Sequence, residues 1–251
     1  KSSISKFFWK FFRFFIFKLI RKKILKYLKS KSQNYDLIII FKGIYVNPTF
    51  LKNIKLILPN VKVINIFTDN PFDIDYFKDI SNENILRSIH CFDHLFIYSK
   101  KLLKKLKKIY PHSNFKYLPF ASDNKIHKKS NLNNNKRFDL SFIGTADVER
   151  FNYINFLKEF KIILAGDGWE NFPLSKNVTY IKKVYSRKFA DTINKSLISL
   201  NILRLQNKYS HNMKTFEIPA MGGLMLTQRS SEQQNFFPEN KASLMYKNRD
   251  E

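Results

Sequence analysis

From Asp36 onward the chain alternates short runs of β-branched and aromatic residues with longer stretches whose apolar positions recur at helical spacing. This pattern predicts parallel sheets covered by helices. Leu37–Phe41 reads as a buried strand ending at Lys42-Gly43, Val61–Phe67 as a second, Leu95–Tyr98 as a third and Tyr117–Phe120 as a short exit strand. Between them Pro48–Leu58, Asp75–Ile89 and Lys100–Ile109 read as helices, the last one strongly basic. A polar stretch from Ser122 to Arg137, rich in Asn and Lys, then interrupts the alternation and reads as a linker. The pattern resumes with strands at Phe138–Gly144, Ile162–Gly166, Val178–Ile181, Leu197–Ile202 and from Leu224.

Two Rossmann-like α/β units are therefore expected, 1–121 and 138–251, joined by 122–137, with the first unit incomplete. The sequence opens on Lys1 and stops at Glu251 without an obvious end, which leaves open that it is a fragment. All six glycines, at 43, 144, 166, 168, 222 and 223, fall where a predicted strand begins or ends. Such positions are expected to need positive φ or close approach of a ligand. In open α/β sheets the ligand crevice lies at the carboxyl ends of strands, where 144, 166 and 168 fall.

Ahead of the first strand, Phe7, Phe8, Phe11, Phe12, Phe15, Leu19 and Ile20 keep helical spacing, with Lys and Arg on the other faces. The stretch to Leu28 is no transmembrane helix, because Lys10, Arg13 and Lys18 interrupt a run that would need about 20 largely apolar residues. It is no signal peptide either, since no small-residue cleavage site follows. Two roles stay open: packing the aromatic face on the sheet that begins at Asp36, or lying on an anionic membrane surface.

Charge changes the picture less than its size suggests. A formal net charge of +25 invites a nucleic-acid reading. No RRM, zinc-finger or helix-turn-helix signature accompanies it, however, and the Lys, Asn, Ile and Phe enrichment runs through the whole chain. Attraction to anionic substrates or membranes fits better. Cys91 is the only cysteine, so an intrachain disulfide and a cysteine metal cluster are excluded, and a reducing, cytoplasmic setting fits. Beside His90 and His94, Cys91 reads as a small buried apolar group rather than a nucleophile.

The densest chemistry lies in Lys214–Thr227, KTFEIPAMGGLMLT. One carboxylate, Glu217, stands in an otherwise apolar helical turn closed by Gly222 and Gly223, and a buried carboxylate needs a partner. The segment resembles the donor-sugar segment of GT-B glycosyltransferases, most closely the CgeB/YkvP-like spore-maturation group. Other stretches carry the same resemblance in order: Asp69-Asn70-Pro71, Tyr117–Phe120, Phe142-Ile143-Gly144 with Arg150, Leu164–Gly168 and Val178–Val184. It implies a glycosyltransferase that moves a sugar, a hexose in this family, from a nucleotide-sugar to a carbohydrate, lipid or protein acceptor, without a metal or other cofactor.

Under that resemblance the ribose diol is held by Glu217, and the diphosphate is met by Arg150, Lys214 and the start of the helix near Thr215. The glycines Gly144, Gly166, Gly168, Gly222 and Gly223 let backbone approach the donor, with Thr145 standing where the family commonly has an Arg. Asp69 is expected to face a cleft and orient the acceptor hydroxyl or act as base, the alternative being an Asx-type turn before Pro71. Tyr209, Ser210, His211 and Asn212 are expected to line the sugar pocket, the alternative for His211 being a surface loop. Tyr209 replaces the first of two glutamates that many retaining members carry, which leaves the anomeric outcome open. Asp73-Ile74-Asp75 spells the metal signature of the other main glycosyltransferase fold but follows Pro71, where acids favour a helix start.

Overall fold

The computed structural model describes residues 3–31, 35–72, 80–129, 137–248 and 250–251. The chain divides into two compact units, Lys1–Pro119 and Phe120–Glu251. Asp73 and Asp75 lie outside the described residues.

In the first unit the order is α1 (Ser3–Ser30), β1 (Leu37–Phe41), α2 (Pro48–Ile57), β2 (Lys62–Phe67), α3 (Ile80–Ser88), β3 (His94–Ile97), α4 (Lys100–Ile109) and β4 (Phe115–Tyr117). Helix starts follow local chemistry: the Asn47 side chain accepts from Phe50 N–H ahead of Pro48, and Ser99 accepts from Leu102 N–H. The exit strand comes earlier than Tyr117–Phe120, because the ladder's last bond, Leu118 N–H to Ile97 O, precedes a proline that has no N–H to give.

The described strands pair in parallel in the order β1-β2-β3-β4. Each step moves to the next strand in the same direction, and right-handed crossovers then carry the connecting helices to one face. Burial follows: Val63, Asn65 and Phe67 are buried, while Lys62, Ile64 and Ile66 between them are not. Leu37–Phe41 is accordingly not the buried strand its composition predicts. It is an edge strand in which only Ile40 is buried, and Leu37, Ile39 and Phe41 are exposed.

Among the described residues α1 packs against α2. Phe17 meets Tyr45 edge-on, Arg21 Nη1 donates to Tyr45 O at 2.9 Å, and Leu28 is buried. Phe12, Phe15, Ile16 and Leu19 point outward.

The second unit runs β5 (Phe138–Ile143), α5 (Val148–Phe156), β6 (Ile162–Ala165), β7 (Val178–Ile181), α6 (Ser186–Asn194), β8 (Ser196–Asn201), α7 (Lys214–Ala220), β9 (Met225–Gln228), α8 (Ser231–Phe236) and β10 (Leu244–Tyr246). Its described strands form one parallel sheet in the order β10-β9-β8-β5-β6-β7. From β5 the chain walks outward to β7, then crosses back to the other side of β5, so the order reverses between β5 and β8. The reversal puts helices on both faces. Phe142, Ile162, Leu164 and Leu200 pack with Ile154 of α5 and Trp169 on one side, and Met225 packs with Phe189, Ile193 and Ile218 of α6 and α7 on the other. All four residues of β6 are buried, as a strand covered on both faces requires.

Residues 120–129, whose polar composition reads as linker from Ser122 onward, fold with the second unit: Phe120 N–H donates to His211 Nε2 at 3.2 Å.

Candidate functional site

The order reversal between β5 and β8 marks the crevice where open α/β sheets take their ligands. The loop after β5 carries Gly144 and Thr145, and the loop after β6 carries Gly166 and Gly168. These two loops are fastened to each other: Gly144 N–H donates to Ala165 O and Ala146 N–H to Asp167 O, both at 2.8 Å, and Trp169 Nε1 donates to Gly144 O at 2.8 Å. Gly166 has φ +139°, and a Cβ there would stand 2.1 Å from Gly144 O. The close approach that requires this glycine is backbone on backbone. Gly168, also at positive φ, begins the turn Trp169–Asn171, where a Cβ would meet only the Ala146 methyl.

Arg150 lies in the first turn of α5, capped by Asp147, and its guanidinium turns inward. Nη1 donates to Thr145 O and Nη2 to Ile202 O, both at 3.0 Å, over the Phe142 ring. Arg150 thus ties the loop after β5 to the residue after β8, across the reversal. Thr145 enters the same clasp through its carbonyl.

Glu217 sits on α7 with 4% of its surface exposed. Lys214 Nζ donates to its Oε2 at 2.9 Å, with the ammonium also 4.3 Å from the Phe189 ring centroid. His127 Nε2 faces Oε1 at 3.6 Å. The His127 ring is fixed from behind, because Asp123 N–H donates to Nδ1 at 2.9 Å and so leaves the proton of the neutral ring on Nε2. Both carboxylate oxygens therefore face a donor. Gly222 at φ +77° lies under the Lys129 side chain, and a Cβ on Gly223 would come within 2.5 Å of Ile193. Gly223 is thus required by packing between α6 and α7.

Thr215 is buried in a polar network that pins the start of α7 to the end of β8. Its N–H donates to Asn212 Oδ1 at 3.1 Å, its Oγ1 accepts from Asn212 N–H at 3.2 Å, and Asn212 Nδ2 donates to Asn201 Oδ1 at 2.8 Å.

His211 is fully buried, not in a surface loop. Nε2 accepts from Phe120, so Nδ1 carries the proton and donates to Glu232 Oε2 at 2.8 Å, where Ser210 Oγ also donates at 3.0 Å. Phe120, Phe216 and Phe236 surround the ring edge-on. This arrangement joins the segment before α7 to α8 and to residue 120. Tyr209 beside it is exposed.

Beyond β6, Asp167, Glu170, Tyr180, Lys182 and Lys183 line an open cleft of about 500 Å³. Tyr180 Oη donates to Gly166 O at 2.9 Å and bonds Glu170 Oε2 at 3.0 Å, and Lys183 pairs with Asp167. Hydrogen bonds from backbone N–H and from Tyr180 hold the Glu170 carboxyl below its usual range.

Asp69 belongs to the first unit, where it pairs with Lys42 at 2.5 Å. The Asx-type turn there is made by its neighbour, since Asn70 Oδ1 accepts from Phe72 N–H at 3.1 Å. Burial pushes the Cys91 thiol up, away from thiolate chemistry. Among the described residues no three His, Cys, Asp or Glu side chains gather as a metal would need.

Sequence reasoning missed His127, Asn201 and Glu232. His127 was hidden in a stretch whose polarity reads as linker, and Glu232 follows Ser230-Ser231 at a helix start, where an acid is ordinarily solvated.

A sequence family described as glycosyl transferase-like matches residues 150–251. No curated protein matches the sequence. Among solved structures the chain is similar to Anabaena Alr3699/HepE in complex with UDP and glucose, with a TM-score of 0.63, 10% identity, and coverage of 89% of this chain and 67% of that one. It is also similar to TarM, which another structure assigns to S. aureus, with a TM-score of 0.61, 11% identity and coverage of 89% and 47%. The pneumococcal O-GlcNAc transferase GtfA in complex with UDP and GlcNAc gives a TM-score of 0.60, 10% identity and coverage of 86% and 46%. The likeness to these structures is one of fold, two Rossmann-like α/β units as in the GT-B arrangement. The chain spans about two thirds of the first of these proteins and about half of the other two.

Proposed function

We propose that this protein is a glycosyltransferase that takes a sugar from a nucleotide-sugar and passes it to an acceptor, and that it belongs with the CgeB/YkvP-like group. The observation that carries this reading is the buried Glu217 carboxylate, held between Lys214 and His127 on a helix pinned by Asn212 and Thr215 to the end of β8. A carboxylate fixed in that way is an acceptor pair for a vicinal diol, and charge-assisted bonds of this kind are about twice as strong as neutral ones. Lys214 lies beside it to meet the negative charge that develops on the leaving diphosphate, so the reading needs no metal. The cleft lined by Tyr180 and Lys182 lies beside the same loop as Gly168 and supports a nucleobase subsite. Asp69, on the other unit, is retained as the candidate that orients the acceptor.

In this reading His211 and Arg150 position the site rather than touch the donor, because both His211 ring nitrogens and the Arg150 Nη1 and Nη2 atoms bond protein groups. The test is release of nucleoside diphosphate from a panel of UDP-, GDP- and dTDP-sugars in excess EDTA. Turnover of at least one donor is the expected result. Turnover that disappears in EDTA and returns with Mn²⁺ would contradict the metal-independent reading. One observation favours a second reading: an exposed Tyr209 stands where retaining relatives place a first glutamate. A binding protein that has lost turnover would bind a nucleoside diphosphate yet release none from any donor.

A further inference from the structure

Helix α1 is 28 residues long, about 42 Å at 1.5 Å per residue, and Ser3–Ser30 contains nine Lys or Arg and no acid. Its inner face is settled by Phe17 and Arg21 on Tyr45 and by the buried Leu28. The opposite face changes character along its length. Phe12, Phe15, Ile16 and Leu19 recur at i, i+3, i+4 and i+7, all exposed, and further along the same side come Lys22, Lys23 and Lys26, also exposed. No helix among the described residues is long and apolar enough to cross a membrane.

We propose that α1 docks the protein on an anionic lipid surface, with the Phe12–Leu19 side entering the headgroup and acyl boundary and the lysines lying over acidic headgroups. Contiguous exposed phenylalanines mark an interaction site, and the absence of any acid on the helix selects an anionic partner. The pairing of an apolar end with a cationic end selects lipid among anionic partners. Apolar insertion and headgroup attraction are the two terms that hold an interfacial helix, and lysine stems can lie along the apolar surface while their ammonium groups reach the phosphates. This inference rests on the first unit and is independent of the Glu217 site, so each stands or falls without the other.

The test is co-sedimentation of the full chain with vesicles of phosphatidylcholine alone and of phosphatidylcholine with phosphatidylglycerol, at low and high salt. Binding is expected only to the anionic vesicles and should weaken steeply as salt rises. Neutralising Lys22, Lys23 and Lys26 to Gln should weaken it about fivefold per lysine. The triple change Phe12→Ser, Phe15→Ser, Leu19→Ser should weaken it by roughly a hundredfold or more at low salt. Because those side chains are exposed, the melting curve should stay that of the parent; if it does not, the lysine variants alone decide. Equal binding to neutral vesicles would overturn the proposal. So would an apolar triple variant that binds like the parent, since a merely cationic patch, as for RNA, would ignore those positions. Self-association without vesicles that the triple variant abolishes would also overturn it, by making the face an interface between copies of the chain.

Discussion

Strands β2 and β6 are both interior strands of parallel sheets, yet they are built differently. In β2, KVINIF, buried positions alternate with open ones, whereas in β6, IILA, every residue is buried. The cause is topological. A sheet that adds strands in one direction receives its crossovers on one face, while a sheet that reverses between β5 and β8 receives them on both. The reversal also creates the crevice, and it is there that polar side chains are held by neighbours: Arg150 across the strand ends, Asn201 and Asn212 under α7, Glu217 between Lys214 and His127. In the first unit alternate sheet positions and the Phe12–Leu19 side of the leading helix are exposed, whereas the second unit holds the candidate site among buried polar groups.

The largest expected effect breaks that contrast at its tightest point. Gly166→Ala forces a Cβ against Gly144 O at a φ of +139° and should destabilise the second unit by roughly 3–5 kcal/mol. Denaturant unfolding followed through the fully buried Trp169 checks this, and a loss under about 1 kcal/mol would show that the two loops are not packed as described. Next in size, Leu164→Ala in the doubly covered β6 should cost about 3 kcal/mol. His127→Ala should leave the unfolding midpoint nearly unchanged but weaken nucleoside diphosphate binding by about three- to tenfold, since the carboxylate loses a polar neighbour that faces it at 3.6 Å. A large stability loss with unchanged affinity would instead make residues 123–129 only a packing segment. The smallest effect is expected on the open sheet of the first unit, where Ile39→Ala at an exposed edge position should change stability by about 0.5 kcal/mol or less. If it matched Leu164→Ala, the one-sided description of that sheet would fail.

Much of the fold was legible because helix and strand periods differ and the second unit obeys them strictly. Ile162–Ala165 and Val178–Ile181 lie where their apolar runs predict. The run at Leu37–Phe41 misled, since a continuous apolar strand looks alike whether its second face is covered or bare. Of the candidate site, the pairing of Glu217 with Lys214 was legible, since their i,i+3 spacing brings them together on one helix face. Its distant partners were not. Nothing local tells that His127, 90 residues earlier, will reach Glu217, or that His211 will find Glu232 on α8, because these pairings follow from tertiary closure. Glycines carried the same ambiguity, as the positive φ of Gly166 serves contact between two loops whereas Gly223 serves helix packing.

The central claim, that Glu217 receives the sugar hydroxyls of a nucleotide, is tested most directly by isothermal titration of the full chain and of Glu217→Gln with whichever of UDP, GDP and dTDP the parent binds. The substitution keeps the shape and the packing of α7 while removing the charge. A charge-assisted bond contributes about 1.5–3 kcal/mol, so affinity should fall about tenfold or more with an unaltered melting curve. Equal affinity of the two proteins would remove Glu217 from the site and with it the reading of α7 as the donor-binding element.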